Sequence, residues 1–177
     1  MQTNIHAFFS VLPKLGMTFQ MQEDFSQLKW YGRGPHESYI DRKHGAMLGI
    51  YSGTVKDQYF PYVRPQENGN KSDVRWASLT NDDGAGVIIY GMPEFNLSTH
   101  HYSLQNITEA THTYMVDQDG PVTVNVDHKV MGLGGDDSWN PRTHDEFLIH
   151  PDHYVYSFLL RYSNNVENDL SLTNPNK

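Results

Sequence analysis

Apolar residues recur at every second position in several stretches of this chain, a period that fits extended strands and not helices. Val122-Thr123-Val124-Asn125-Val126-Asp127 alternates without a break. On an extended backbone its valines face one side and its polar residues the other. Residues 73–79 alternate with interruptions, Thr80-Asn81-Asp82-Asp83-Gly84 supplies a turn, and Val87-Ile88-Ile89-Tyr90 reads as a buried partner strand. That order predicts a β-hairpin. Residues 154–162 are rich in aromatic and aliphatic side chains and read as another strand, and further strands are expected within 17–30 and 45–55. The single helix candidate is short, residues 103–111, with Ser103 as its N-cap. Many short strands separated by turn signals predict an all-β, mostly antiparallel sandwich or barrel. The polar, Asn-rich residues 163–177 are expected to fray, which leaves 1–162 as the folded domain.

A chain of 177 residues suits one domain, and its 8 Phe, 11 Tyr and 3 Trp supply a core. The net charge of −8 offers no basic footprint for nucleic acid and opposes an anionic membrane surface. No run approaches the ~20 apolar residues of a membrane span. Met1-Gln2-Thr3-Asn4-Ile5-His6 does not open a signal peptide. With no cysteine there is no disulfide and no thiolate chemistry, which fits a reducing compartment. A cytoplasmic location is expected, with the periplasm left open. Two glycosylation-type triplets, Asn96-Leu97-Ser98 and Asn106-Ile107-Thr108, are weak signals because the pattern is common.

Candidate chemistry centres on Gly132-Leu133-Gly134-Gly135-Asp136-Asp137-Ser138-Trp139-Asn140-Pro141. Three glycines permit tight turning and Pro141 fixes the exit, so this is a loop that carries Trp139 near the surface. There it can offer a flat apolar face to a sugar ring, or it can plug the end of a core. Glycoside hydrolysis needs two converging carboxyl groups. Glu37, Glu67, Glu94, Asp136 and Asp137 are candidates, and any one acid is more often a solvated surface group. Asp136 and Asp137 are neighbours and would point apart on an extended backbone, so accepting loop N–H groups is the more natural role for one of them. Ten histidines raise the question of a metal, but His100 and His101 would face opposite sides of a strand, and His150-Pro151-Asp152-His153 lacks a third partner. No metal site is expected. The glycines at 132–135 lack the Lys and Ser/Thr of a phosphate loop. Residues 30–39 and 60–70, each with aromatics and proline, read as stiff loops that buttress the sandwich or wall a carbohydrate cleft.

Three of these segments carry a resemblance. Trp30-Tyr31-Gly32-Arg33-Gly34-Pro35-His36-Glu37-Ser38-Tyr39-Ile40-Asp41-Arg42, Pro61-Tyr62-Val63-Arg64-Pro65-Gln66-Glu67-Asn68-Gly69 and Met131-Gly132-Leu133-Gly134-Gly135-Asp136-Asp137-Ser138-Trp139 resemble, in order and spacing, segments of the large bacterial β-galactosidases of glycoside hydrolase family 2. The likeness runs from about residue 12 to residue 162 and falls on their C-terminal small-chain domain. It implies part of a β-supersandwich, related in fold to galactose mutarotases, that packs beside a catalytic TIM barrel. It implies that Trp139 presents its face to the sugar, with Asp136, Asp137, Glu67, Asn68 and Glu37 as loop or cleft support. Nothing here resembles the barrel, its glutamate pair or the family's ligands for magnesium and sodium, so catalytic residues and cofactors are expected outside this chain.

The leading expectation is therefore a non-catalytic sandwich domain that completes a β-galactoside site beside a barrel-bearing portion or large subunit. Its exposed sheet edges and apolar faces would favour self-association. A stand-alone carbohydrate-binding module is the alternative. A mutarotase-like enzyme using a His and a carboxylate is weaker, because a shared fold does not transfer chemistry.

Overall fold

The hairpin read from residues 73–90 is the centre of the architecture. A computed structural model describes residues 2–4, 10–140 and 142–172. Its strands are β1 (Gln2–Asn4), β2 (Lys14–Met21), β3 (Gln27–Gly34), β4 (Met47–Thr54), β5 (Lys71–Thr80), β6 (Gly86–His100), β7 (Val122–Val130), β8 (His153–Val155) and β9 (Ser157–Ser163). Two α-helices, α1 (Leu104–Glu109) and α2 (Val166–Leu172), and three single 3₁₀ turns, Lys56–Gln58, Thr113–Met115 and Asp145–Phe147, accompany them among the described residues. β5 and β6 pair antiparallel from Thr80↔Gly86 inward. Asn81 shapes their turn: its N–H donates to the Ala85 carbonyl at 2.9 Å and its Oδ1 accepts the Ala85 N–H at 3.0 Å. Gly84 closes it at φ +79°, a backbone angle that costs glycine least.

Seven strands form one antiparallel sheet in the order β2-β7-β6-β5-β3-β4, with β9 also on β6, while β1 and β8 pair separately. The 15 residues of β6 change partner along their length: Gly86–Met92 pair with β9, and Asn96–His100 pair with β7. Pro93 stands at the changeover, where its missing N–H costs no ladder bond. Leu28 and Trp30 of β3, Val74 and Leu79 of β5, Leu97 of β6 and Val124 of β7 share one core cluster, each at most 2% exposed. Strands spread across a single sheet reach one sealed core only if the sheet curls around it, which gives the sandwich its inside. The fold is all-β and mostly antiparallel, as the alternation predicts.

Three details depart from the sequence expectation. The stretch 154–162 is two strands that break at Tyr156, because β8 pairs with β1 while β9 turns to β6. The polar residues of β7 do not face water: Thr123, Asn125 and Asp127 are 6%, 8% and 3% exposed, because loops cover that face too. The tail expected to fray from residue 163 holds a helix. α2 packs Val166 and Leu170 on the buried Ile88, and the Val166 N–H donates to the Gly84 carbonyl at 3.0 Å. Two apolar residues four apart suffice for one helical stripe, and the polar residues around them masked it. Residues 173–177 and Pro141, the expected loop exit, lie outside the described residues. α1 begins where expected, with Ser103 Oγ accepting the Asn106 N–H at 3.1 Å.

The docking of α2 gives a direct test. Leu170→Ala should lower stability by about 2 kcal/mol, the lower end for a buried leucine, through a lower urea midpoint at unchanged slope. An unchanged midpoint would return this segment to a frayed tail.

Candidate functional site

The glycine-rich loop is pinned at its base and free at its tip. The Met131 N–H donates to the Pro13 carbonyl at 3.0 Å, and the Gly132 N–H donates to the Phe147 carbonyl at 2.9 Å. Thr143 Oγ1 donates to the Gly132 carbonyl at 2.9 Å. Asp41 reaches in from a distant turn, and its Oδ2 accepts the Gly134 N–H at 2.8 Å. Glycine is required here for space: a Cβ on Gly132 would lie 2.7 Å from Asp41 Oδ2 and 2.8 Å from the Phe147 Cβ. Gly134 and Gly135 then turn through φ +67° and +83°. Beyond them Asp137 Oδ1 accepts the N–H groups of Trp139 at 2.8 Å and Asn140 at 2.5 Å. Asp136 pairs instead with His144 Nε2 at 2.7 Å, which holds its carboxyl below and the imidazole above their ordinary values. Trp139 itself is 91% exposed, an indole with a free face at the tip of a loop held at its base.

Glu37 organises the second loop in the same way. Its Oε2 accepts the Gly69 N–H at 2.8 Å, and its Oε1 accepts from Arg42 Nη2 and Tyr62 Oη. Gly69 lies at φ +76°, and a Cβ there would strike the Gln58 carbonyl oxygen at 2.4 Å. Asn68, 1% exposed, is wholly structural in its contacts. Its Oδ1 accepts the Phe60 N–H at 3.0 Å, while its Nδ2 donates to the Gln66 carbonyl at 2.9 Å and Tyr102 Oη at 2.8 Å. Glu67 faces Lys14 at 3.8 Å. Glu94 sits elsewhere, 3.5 Å from Arg75. The five candidate acids thus fall in three places: Glu37 and Glu67 about the second loop, Asp136 and Asp137 on the glycine-rich loop, and Glu94 apart from both. His100 donates from Nε2 to the Asn68 carbonyl at 3.0 Å, and His101 from Nδ1 to the Gly120 carbonyl at 2.9 Å, so the neighbouring histidines diverge. Among the described residues no three His, Asp or Glu side chains gather as a metal site.

A cavity of about 630 Å³ opens between the 64–68 loop, α1, β6, β7 and residues 130–133. Glu67 and Asn68 line it; Glu37 lines a separate hollow with Lys71, and Trp139 lies outside both. Burial dominates the electrostatics near the cavity. It drives the His100 imidazole down to about 3 and raises the Glu67 carboxyl, which Lys14 partly offsets. Burial likewise pushes Asp127 up to about 7 against the pull of Lys14, 4.0 Å away, with Glu67 adding to the rise. In the second hollow, burial lowers Lys71 to about 8.

Sequence reasoning missed Asp41, Arg42 and Lys14 as site residues. Asp41 and Arg42 stand in the first signature segment, so their position was marked, but nothing local says which loop a carboxylate will grip 93 residues away.

The chain matches the family model described as beta galactosidase small chain over residues 1–160. It is 47% identical over 151 residues to a beta-galactosidase of Priestia megaterium, which covers 85% of this chain and 15% of that protein. It is 34% identical to one of Psychromonas ingrahamii, over 90% of this chain and 15% of that protein. With one of Lactobacillus delbrueckii subsp. bulgaricus the identity is 39%, over 78% and 14%. The chain therefore spans about one seventh of the length of these relatives.

Two outcomes follow from this geometry. Asp41→Ala should cost about 2 kcal/mol for a lost charge-assisted bond and speed hydrogen exchange at the Gly134 amide, with Trp30 and its strand unaffected; unchanged Gly134 protection would show that the loop holds itself. A carboxyl whose folded pKa is raised keeps a proton that the unfolded chain releases. Asp127 therefore makes stability fall as pH rises between the ordinary value of 3.8 and about 7, then level off. Asp127→Asn should flatten that fall in pH-resolved urea unfolding, and an equally steep decline in the variant would assign it to another group.

Proposed function

Because the chain belongs to the β-galactosidase small-chain family, we propose that it completes the sugar site of a β-galactosidase and performs no hydrolysis alone. The observation that carries this is Trp139: 91% exposed, on a loop whose base is held by Asp41, Phe147 and Thr143. A large aromatic kept out of the core on a pinned loop loses little entropy when a ligand stacks on it. In the intact enzyme the indole would face the apolar C–H side of a terminal β-D-galactoside such as lactose. Carboxylates on the barrel portion would carry out retaining hydrolysis through a glycosyl-enzyme intermediate. Magnesium and sodium would bind on that portion as well, as the family resemblance implies. No helix among the described residues is long and apolar enough to cross a membrane.

The partner has a surface waiting for it. Met47 and Ile50 on β4 are 71% and 61% exposed, and Leu159 and Tyr162 on β9 are 54% and 61% exposed. Such apolar strand surface is covered by the larger portion of the polypeptide, as the rest of a supersandwich, or by a second copy when alone. The second reading, an independent carbohydrate-binding module, draws on the same exposed indole.

Hydrolysis of a chromogenic β-galactoside separates these readings. Activity should appear only when the chain is mixed with the matching barrel-containing fragment, and Trp139→Ala should raise KM about tenfold, ~1.4 kcal/mol of lost binding, without shifting the urea midpoint. Hydrolysis by the chain alone, or an unchanged KM in the variant, defeats the proposal. Saturable quenching of tryptophan fluorescence by lactose in the isolated chain, lost in Trp139→Ala, supports the binding module.

A further inference from the structure

The sheet face opposite the apolar core is both polar and buried. The register sets Ser98 of β6 opposite Asn125 of β7, and His100 opposite Thr123. These four residues are 3%, 8%, 5% and 6% exposed. An antiparallel sheet commonly gives its second face to water. Once that face is covered, each polar group needs a partner, or its desolvation goes uncompensated.

Here the partners run out. Thr18 Oγ1 donates to Asn125 Oδ1 at 2.7 Å, and Asn125 Nδ2 donates to Ser98 Oγ at 2.9 Å. That relay ends at the Ser98 hydroxyl. His100 Nδ1 and Thr123 Oγ1 are buried with no hydrogen-bond partner among the described residues. Ser98, His100, Thr123 and Asn125 all line the cavity of about 630 Å³, which falls in the usual range for small-molecule pockets, about 300–1,000 Å³. Across from this polar floor the lining is aliphatic, from Leu104, Ile107 and Ala110 of the α1 segment and from Val130 and Leu133. Tyr102, stacked on His100 at 4.4 Å, adds an aromatic surface. Of the charged residues that line the cavity, Lys14 and Glu67 are paired with each other at 3.8 Å, and Arg64 comes from the 64–68 loop, not from the floor.

We propose that this cavity is a binding site for a neutral saccharide, separate from Trp139. A sugar ring matches the lining on both sides. Its hydroxyls donate and accept, as hydroxyl, amide and uncharged imidazole groups require, and its C–H faces pack on aliphatic and aromatic walls. A charged ligand would lose its hydration over a floor without counter-charge. A hydrocarbon would leave the floor groups as unpaired as they are now. Residues 134–140 do not reach the cavity, so occupancy here does not depend on the Trp139 reading.

The test uses the full chain, labelled with ¹⁵N and titrated with galactose, glucose and lactose. Saturable shifts are expected at residues 98, 100, 123 and 125, and they should persist in Trp139→Ala. Thr123→Val keeps the side-chain shape and removes a hydroxyl that serves no partner in the protein. It should weaken binding about three- to tenfold while leaving the urea midpoint no lower than wild type. Thr108→Trp, at an exposed position beside the cavity, should abolish the shifts by blocking entry. The proposal is overturned by absence of saturable shifts, by shifts confined to residues 134–140, or by wild-type affinity in both cavity variants.

Discussion

Two carboxylates four residues apart, Glu37 and Asp41, hold the two candidate-site loops of this protein in place. Each accepts the backbone N–H of a glycine at positive φ: Glu37 takes Gly69 and Asp41 takes Gly134, both at 2.8 Å. The chemistry explains the pairing. A carboxylate bonds strongly to a backbone donor, and a glycine turned left-handed presents that donor with no Cβ in the way. The three signature segments are therefore one structure. The first supplies the acids, and the second and third supply the glycines they grip. Arg42 and Tyr62 then close around Glu37 and keep the acid end of the clasp aligned.

The sheet beneath serves two environments at once. Its apolar face seals a core around Trp30, Leu97 and Val124, while its other face buries hydroxyls, amides and a neutral imidazole beneath the cavity. The sealed core and the cavity floor share the same strands, split by the two-residue period. The cost is visible in the titrating groups at the edge of the polar face, where burial raises Asp127 and Glu67 against the single nearby Lys14.

Most of the architecture was legible because it rests on local signals. The alternation at 122–127, the Asn81–Gly84 turn and the Ser103 cap each act within a few residues, and each appears where the sequence puts it. What escaped depends on contacts distant in sequence. α2 needs Ile88 to make Val166 and Leu170 meaningful, and β8 is told from β9 by its pairing with β1 while β9 pairs with β6. At the site, Gly132 to Trp139 announced a loop by composition, but its grip by Asp41 has no local signature. The polar residues of β7 read as solvent-facing because alternation reports which side a residue faces, never what lies on that side.

The clasp also fixes when the site can exist during folding. Its two hydrogen bonds close segments of 32 and 93 residues, and the second spans four strands, β4 to β7. Long closures come after local structure, because their entropic cost precedes any reward. A chain emerging from the ribosome can form the central hairpin long before residue 134 is available to Asp41. The indole is therefore set in its final place only after most of the domain has been synthesised, and a nascent or prematurely ended product would lack a poised Trp139.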